Sequence, residues 1–403
     1  MTIDRAKIWT GELNQRAIAP TAEQPAKVGI YDTTLRDGEQ SVGVVLDPEA
    51  KLEIARALDR MGVDRIEAGF PRVSAADARA IELIAAAGLN AEIWGFARAV
   101  PADVEALLEL GVKAAVIESP VSDLKLEAYG ISREKLLERV TKAVSAAVGN
   151  GVKIAFFGVD GTRGSFDFMA EVYRAAVDAG ASEIVVVDTL GIATPEAAAM
   201  FVTAAREWVG PEVPIHWHGH NDFGLGTAIS VAAVRAGASW VQGTVNGMGE
   251  RAGNANIAEV ALALETFYGV ETNIHFDAVR EASATVKRLA GHELEPWKSI
   301  VGANLFTRES GAVASQFHEP ESIEPYSSEL VAAERGIVLG KKSGLDSIRI
   351  RAAELGVEVA EEERAAILAA VKERSEKEHG LVSDDEFLEI VRANANTGNG
   401  GSA

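Results

Sequence analysis

The sequence predicts an α/β protein built on a (β/α)8 TIM barrel, followed by a mainly helical C-terminal region. Eight short β-rich runs alternate with Ala-rich helical patterns over about 240 residues, which is the size of such a barrel. Strands that alternate with helices of this length imply a parallel sheet. The alternative is a doubly wound open sheet. It usually has fewer strands, and no dinucleotide-type glycine fingerprint follows the first predicted strand.

The predicted strands are short runs rich in β-branched and aromatic residues. They are 28–35, 63–70, 91–97, 112–119, 151–159, 182–189, 213–220 and 238–246. Between them, apolar residues spaced three and four apart predict amphipathic helices. Examples of these helices are 48–61, 75–87, 134–148, 166–179, 195–208, 224–236 and 256–267.

The alternation stops at about residue 272, which divides the chain into three predicted parts. They are a catalytic barrel (27–272), a linker or lid over the active site (273–343) and a small helical subdomain (344–395). Helical patterns occur at 276–289, 344–355, 361–377 and 384–393. The segment 297–343 is rich in Gly, Ser, Glu and Pro, and so long a loop is usually functional or mobile. The final NTGNGGSA indicates a disordered tail or a remnant of the expression vector.

Composition narrows the function classes. Hydrophobic residues make up 47% of the 403 residues, enough for a large core. The formal net charge of −21 argues against a nucleic-acid partner, which needs a basic face. No apolar run approaches the roughly 18–20 residues of a membrane span, and the N-terminus has no secretory signal pattern. The absence of cysteine excludes disulfides and thiolate sites and fits a cytoplasmic location.

The stretch HWHGHND (216–222) crowds three of the seven histidines at the end of the seventh predicted strand. Residues two apart in a strand face the same side, so His216, His218 and His220 share the face that lines the barrel. The most C-terminal members reach the mouth, where barrel active sites are found. Two imidazoles on one face can share a metal ion. The alternative is a set of hydrogen-bonded core histidines.

Two further strand ends carry dense polar motifs. YDTTLRDGEQ (31–40) ends the first strand and packs four charged residues together, and NGMGERAGNAN (246–256) ends the eighth. Strand eight pairs with strand one when a barrel closes, so side chains from the first, seventh and eighth strand ends can meet at one point. For the first motif, the alternative is a solvated loop with an internal ion pair.

Together these three motifs resemble the acyltransferases that make 2-isopropylmalate, homocitrate and citramalate. These enzymes belong to the metallolyase superfamily named for its Asp-Arg-Glu motif. The resemblance covers about residues 27–345 and is greatest to the homocitrate synthases. It includes GFP (69–71), VSD (121–123), VVDTLGIATP (186–195), KSIVGANLF (298–306) and LGKKSG (339–344).

The resemblance implies that Asp37, His218 and His220 bind one divalent cation, Mn, Zn or Mg, with Asn254 close by or coordinating. It also implies that Arg36 stabilises the alkoxide that forms from a 2-oxo acid. Acetyl-CoA, the co-substrate, would supply its methyl carbon as an enolate, followed by hydrolysis of the thioester. This is an EC 2.3.3 acyltransferase reaction of amino-acid biosynthesis.

The resemblance also implies substrate-binding roles for Gln40, Glu67, Thr189 and Arg163. Thr189 would hold the substrate carboxylate, and Gln40 and Glu67 would support the metal ligands. Relatives are dimers, so a homodimer is expected. Because the chain ends near 395, we expect it to lack the leucine-binding regulatory domain of larger isopropylmalate synthases.

The half of the site that handles the acyl donor departs from the family pattern. Arg308 and Val313 stand where the family usually has the histidines of a His-x-Ser-Gly-Ile-His motif. Val159 stands where it usually has a glutamate, although Asp160 and Arg163 remain. Lys-Leu-Glu (125–127) follows VSD, where a histidine often occurs.

Three functions are compatible with a metal motif that matches the family and an acyl-donor half that departs from it. The first is a synthase with a different catalytic base, His318 or Asp160. The second is a carbon–carbon lyase or aldolase of the same superfamily that cleaves a 2-hydroxy acid. The cysteine-dependent mechanism of HMG-CoA lyase is excluded for this chain. The third is a non-enzymatic binding protein, which gives no reason for retaining the metal motif with Arg36. His318 has its own alternative as a surface histidine beside Glu319.

Overall fold

The computed structural model describes residues 3–395 and has a closed barrel of eight parallel strands as its main feature. The strands are β1 (Gly29–Asp32), β2 (Arg65–Glu67), β3 (Glu92–Arg98), β4 (Ala114–Pro120), β5 (Lys153–Val159), β6 (Glu183–Asp188), β7 (Ile215–Gly219) and β8 (Trp240–Gly243). Each overlaps a predicted strand, and the predicted TIM barrel is confirmed. The tail 396–403 lies outside the described residues.

Pairing of the first strand with the last closes the barrel. Four register pairs join β1 to β8, from Gly29 opposite Trp240 to Asp32 opposite Gly243. On its other side β1 pairs with β2, where Tyr31 lies opposite Arg65. An open sheet would leave β1 and β8 as two edges, so the doubly wound alternative is excluded.

The helices follow the predicted alternation. They are α1 (Glu12–Ala17), α2 (Pro48–Met61), α3 (Ala75–Ala85), α4 (Pro101–Glu109), α5 (Asp123–Tyr129), α6 (Arg133–Gly149), α7 (Phe166–Asp178), α8 (Pro195–Val209), α9 (Gly226–Arg235), α10 (Ile257–Ala263), α11 (Val279–Ala290), α12 (Gly311–Ala314), α13 (Leu345–Glu354), α14 (Arg364–Glu378) and α15 (Asp384–Ala395). The predicted run 256–267 is divided, because a π-helical turn (Leu264–Tyr268) follows α10.

Local capping chemistry explains where the helices begin. The Asp47 side chain accepts a hydrogen bond from the backbone N–H of Ala50 at the start of α2, and Pro48 occupies the first turn. Thr194 caps α8 in the same way, through the N–H of Ala197. These residues satisfy backbone donors that the helix itself leaves unpaired.

The barrel interior has an apolar layer and a charged layer. The apolar layer is Tyr31, Trp94, Phe96, Ala114, Val116, Ala155, Phe157, Val185 and Val187. The charged layer joins Arg65 of β2 to Glu183 of β6 by two hydrogen bonds of 2.6 and 3.0 Å. His216 of β7 lies 2.5 Å from the same carboxylate. All three side chains are buried, so each charge depends on its partners.

The chain forms two compact units, 3–5 with 11–294 and 6–10 with 295–395. The second unit has its own core, which includes Ile348, Ile367, Val371 and Phe387. It also contains β9 (Thr307–Arg308) and β10 (Gly336–Ile337), a short parallel pair. The segment 297–343 is therefore not one structureless loop. The predicted boundaries at 272 and 343 stay predictions. None of the described helices is both long and apolar enough to span a membrane.

We expect Glu183→Gln to lower the free energy of unfolding by about 3 kcal/mol. Removing one partner of a buried pair leaves the other charge, here Arg65, without compensation. Burial raises the pKa of Glu183, but His216 and Arg65 lower it by more, to below its ordinary value of 4.5. The stabilisation is therefore complete above about pH 4.5 and is lost as the pH falls through the depressed pKa.

Urea unfolding followed by tryptophan fluorescence at pH 7 and at pH 4 measures both effects. Glu12→Gln is the control, because Glu12 forms an exposed pair with Arg16 on α1. The control should unfold at the wild-type midpoint. Equal midpoints for Glu183→Gln and wild type at pH 7 would show that the charged layer adds no stability.

Candidate metal centre and active site

Three buried side chains meet at the C-terminal mouth of the barrel. Asp37 lies in the loop after β1, His218 lies in β7, and His220 follows the last residue of β7. Asp37 Oδ2 lies 3.3 Å from His218 Nε2 and 3.6 Å from His220 Nε2. The two Nε2 atoms are 3.4 Å apart. One carboxylate oxygen and two imidazole nitrogens thus converge on a common point, within 4.8 Å of one another.

Hydrogen bonds fix both imidazole rings. His218 Nδ1 donates to Gln242 Oε1 of β8 at 3.1 Å, and His220 Nδ1 donates to the Gly253 carbonyl oxygen at 3.2 Å. A proton on Nδ1 leaves the Nε2 lone pair of each ring free and aimed at Asp37. Outer partners of this kind set the tautomer of metal-binding histidines.

Asn254 adds a fourth group to the cluster. Its Nδ2 donates to Asp37 Oδ2 at 3.0 Å and to the Met248 carbonyl oxygen at 3.1 Å. Its Oδ1 is buried and has no hydrogen-bond partner. A buried, unsatisfied amide oxygen beside a carboxylate and two imidazoles fits a divalent cation that accepts mixed oxygen and nitrogen ligands.

Arg36 lies next to this cluster. Its Nε donates to Glu67 Oε2 at 2.5 Å, and its Nη1 is 3.6 Å from Asp37 Oδ1. The guanidinium carbon stands 4.2 Å from the centre of the Phe96 ring. Nη2 is buried and donates to no described group. Arg36 therefore presents a free, oriented donor at the mouth, held on one side by Glu67 and covered by an aromatic face.

Burial and charge determine the protonation states of these groups. Burial raises the pKa of Asp37, but Arg36 and the two histidines lower it by more, so its net pKa lies well below the ordinary value. Burial lowers the pKa of His220 to about 4, against the opposing effect of Asp37. At neutral pH, Asp37 is therefore ionised and His220 is neutral, which are the forms that bind metal.

The deeper histidine has different partners. His216 Nε2 lies 2.5 Å from Glu183 Oε2, and its Nδ1 lies 3.2 Å from Gln242 Nε2. Gln242 thus contacts both His216 and the metal-facing His218. We infer that His216 has a structural role and connects the charged layer to the ligand cluster.

The other candidate residues of the barrel lie at the ends of β1, β2, β5 and β6. Asp160 accepts two hydrogen bonds of 2.8 Å from Arg163 and one from Ser122. Its backbone N–H donates to Thr189 Oγ1 at 2.7 Å. Gln40 ends a one-turn 3-10 helix and has an exposed side chain. Asp160 and Arg163 therefore pair with each other, and both carboxylate oxygens of Asp160 are occupied.

His318 and Arg308 belong to the second unit. His318 lies in an exposed turn after α12. Arg308 Nη1 donates to the carbonyl oxygen of Leu305 at 2.8 Å, and Arg308 Nη2 donates to that of Ile323 at 3.2 Å. Arg308, which stands at a usual histidine position, thus binds backbone carbonyls within its own unit.

The sequence argument missed two residues of the mouth. Gln242 orients His218. Glu118 of β4 carries a carboxylate that lies close enough to Arg36, Glu67 and Asp37 for their charges to shift its pKa. Alternation along each strand could have found both. Gln242 follows Trp240 by two residues, and Glu118 continues the inward face of Ala114 and Val116.

Comparison with known proteins places this geometry in a family. A family model described as HMGL-like matches residues 27–286, and one described as homocitrate synthase post-HMGL domain-like matches residues 300–379. From Methanopyrus kandleri, a homocitrate synthase is 43% identical over 91% of this chain and 92% of its own length. A probable 2-isopropylmalate synthase of that organism is also 43% identical, over 88% of this chain and 71% of its own length.

Solved structures support the fold. The HMG-CoA lyase of Bacillus subtilis superposes with a TM-score of 0.62 at 20% identity, covering 70% of this chain and 98% of the lyase. The hydroxymethylglutaryl-CoA lyase of Pseudomonas aeruginosa gives a TM-score of 0.60 at 23% identity, covering 67% of this chain and 95% of the lyase. At these identities the likeness concerns the fold alone. With both family models matched in order and synthases 43% identical over nearly the whole chain, this protein belongs to the HMGL-like family and carries the homocitrate synthase post-HMGL domain.

Proposed function

We propose that this chain is an acyltransferase that condenses acetyl-CoA with a 2-oxo acid and releases free CoA. The observation that carries the proposal is the ligand cluster of Asp37, His218 and His220 beside Arg36, whose Nη2 is buried and free. The cluster fits a cation that would hold a 2-oxo acid, and the free donor suits an oxygen that gains negative charge.

The proposed reaction forms one bond between the acetyl methyl carbon and the ketone carbon of the 2-oxo acid. A base takes a methyl proton, the ketone oxygen becomes an alkoxide and is then protonated, and water cleaves the thioester. A divalent cation held by Asp37, His218, His220 and Asn254 would act as a Lewis acid toward the ketone. Arg36 donates to the oxygen as its charge grows, while Glu67 keeps the guanidinium in place.

The base must come from another group, because the ligand histidines use their Nε2 atoms for the cation. Of the two candidates, Asp160 is buried and fully engaged by Arg163 and Ser122, which leaves His318 as the proposed base. A histidine side chain can take the proton as a general base. The homodimer and the cytoplasmic location stay predictions.

A panel of 2-oxo acids with acetyl-CoA, followed by release of free CoA, tests the proposed activity. Release with at least one acid supports the synthase. No release with any acid, together with cleavage of a 2-hydroxy acid, would instead establish the lyase.

We expect Asp37→Ala and His218→Ala to lower bound divalent metal to about one-tenth of the wild-type content or less, because each removes a direct ligand. His216→Ala should retain more metal than either. Elemental analysis of protein purified without chelator measures this. His275→Ala is the matched control, because His275 is exposed and donates to the Arg60 carbonyl oxygen. Full metal content in Asp37→Ala and His218→Ala would contradict the assignment.

We expect Arg36→Lys to lower kcat by about two to three decades, which corresponds to roughly 3–4 kcal/mol of lost charge stabilisation. Lysine keeps the charge but not the planar fork that contacts Glu67 and leaves Nη2 free. Metal content should stay close to wild type, which separates the two roles. Arg133→Lys, at an exposed pair with Asp123, serves as the control. A near-normal rate would mean that Arg36 only neutralises neighbouring carboxylates.

We expect His318→Ala to slow condensation at least ~100-fold, within the usual range for loss of a general base. Binding of the 2-oxo acid, measured calorimetrically without acetyl-CoA, should not change. His275→Ala again provides the comparison for loss of an exposed histidine. An unchanged condensation rate would make His318 a surface residue.

A further inference from the structure

Glu118 lies near the end of β4 and faces the barrel interior. Ala114 and Val116, four and two residues earlier, belong to the interior layer, so alternation puts Glu118 on the same face. Its register partner in β5 is Phe157, which is also an interior residue. The Glu118 carboxylate thus lies at the mouth, close enough to Arg36 and Asp37 to interact with their charges.

This carboxylate has no hydrogen-bond donor among the described residues. Removal from water raises the pKa of Glu118 to about 7, against the opposing effects of Arg36 and Arg98 and with a further increase from Glu67 and Asp37. A partly buried carboxylate without a donor is costly unless a ligand supplies one. Glu118 therefore differs from Glu67, which Arg36 and Tyr31 already engage.

The arginines at the neighbouring strand ends are already paired. Arg98 of β3 lies opposite Glu118 in the register, but its fork binds both oxygens of Asp103. Arg163, after β5, binds both oxygens of Asp160. Arg251, after β8, binds both oxygens of Asp222. Each of these three arginines thus already uses its Nε and Nη2 on a carboxylate of the protein.

On the β5 side the residue opposite Glu118 is the apolar Phe157, and on the β3 side it is Arg98. Phe96 of β3 and Phe157 of β5 make an edge-to-face contact with ring centres 6.4 Å apart. Val159 is the last residue of β5, opposite Pro120 in the register with β4. In such surroundings a polar group that contacts a ligand fixes its orientation and discriminates strongly among ligands.

We propose that Glu118 selects the 2-oxo acid, and that the substrate has one carboxylate and a side chain bearing a hydrogen-bond donor such as a hydroxyl. This inference rests on the proposed function. Above about pH 7, where Glu118 is ionised, a second carboxylate would meet it with like charge. A purely apolar side chain would leave the Glu118 carboxylate desolvated and unpaired.

Calorimetric binding to the metal-loaded protein at pH 8, where Glu118 is ionised, and without acetyl-CoA tests the selection. The probes are 4-hydroxy-2-oxobutanoate, its methyl counterpart 2-oxopentanoate, and 2-oxoglutarate. We expect the hydroxylated acid to bind at least about tenfold more tightly than 2-oxopentanoate, the usual gain from a hydrogen bond to a charged group. We expect 2-oxoglutarate to bind most weakly of the three.

Glu118→Leu should abolish the preference for the hydroxyl over the methyl group, and Glu118→Gln should reduce it while improving binding of 2-oxoglutarate. Glu118→Gln keeps the shape of the side chain and guards against a folding defect in Glu118→Leu. Unchanged metal content checks that the mouth is intact in both. Glu171→Gln, an exposed change on α7, is the control and should keep the wild-type ratios.

Equal ratios in wild type and Glu118→Leu, or tightest wild-type binding of 2-oxoglutarate or of 2-oxopentanoate, would overturn the selection. So would failure of all three acids to bind. Loss of turnover in Glu118→Gln with unchanged binding ratios would assign Glu118 to proton transfer instead. Failure of the proposed function is distinguishable, because the acids would then bind with the expected ratios but release no CoA.

Discussion

The pairing of β1 with β8 is the constraint on which the active site depends. Asp37 follows β1, His218 lies in β7, and Asn254 comes from the loop after β8. Asp37 and His218 are more than 180 residues apart along the chain. Only a closed ladder makes those three strand ends neighbours. The metal cluster is thus a product of topology, because barrel closure sets the positions of the strand ends and of the loops that follow them.

A continuous polar path runs inside the barrel beneath that cluster. It begins at Arg65 and Glu183, continues through His216 and Gln242, and ends at His218. Each buried side chain of the path contacts the next, which is what makes charge in a barrel interior tolerable. The same contacts that neutralise Arg65 therefore orient a ligand imidazole, so the core of the barrel and the chemistry at its mouth are not independent.

Much of this arrangement was predictable from the sequence. Runs rich in β-branched and aromatic residues located the strands, and period-two spacing put His218 and His220 on one face. The family resemblance added Asp37 as the third ligand. What could not be predicted were the partners across the barrel. Glu183 meets Arg65 from a strand four positions away, and this depends on strand tilt and register, which no local pattern encodes. His220 also lies just beyond β7, where an isolated bridge to Asn254 ends the strand.

The two halves of the site are constrained to different degrees. Replacing Asp37 or His218 would leave buried polar partners such as Asn254 and Gln242 unsatisfied, so the metal half is tied to the stability of the barrel. Glu118 has no such partner, and Val159 ends its strand with an apolar side chain. His318 is exposed within a unit that has its own core. Residues such as Glu118, Val159 and His318 can change without disturbing the strand pairing of the barrel. This explains how the cation-binding groups can fit the family pattern while the residues that face the substrate side chain and the acyl donor depart from it.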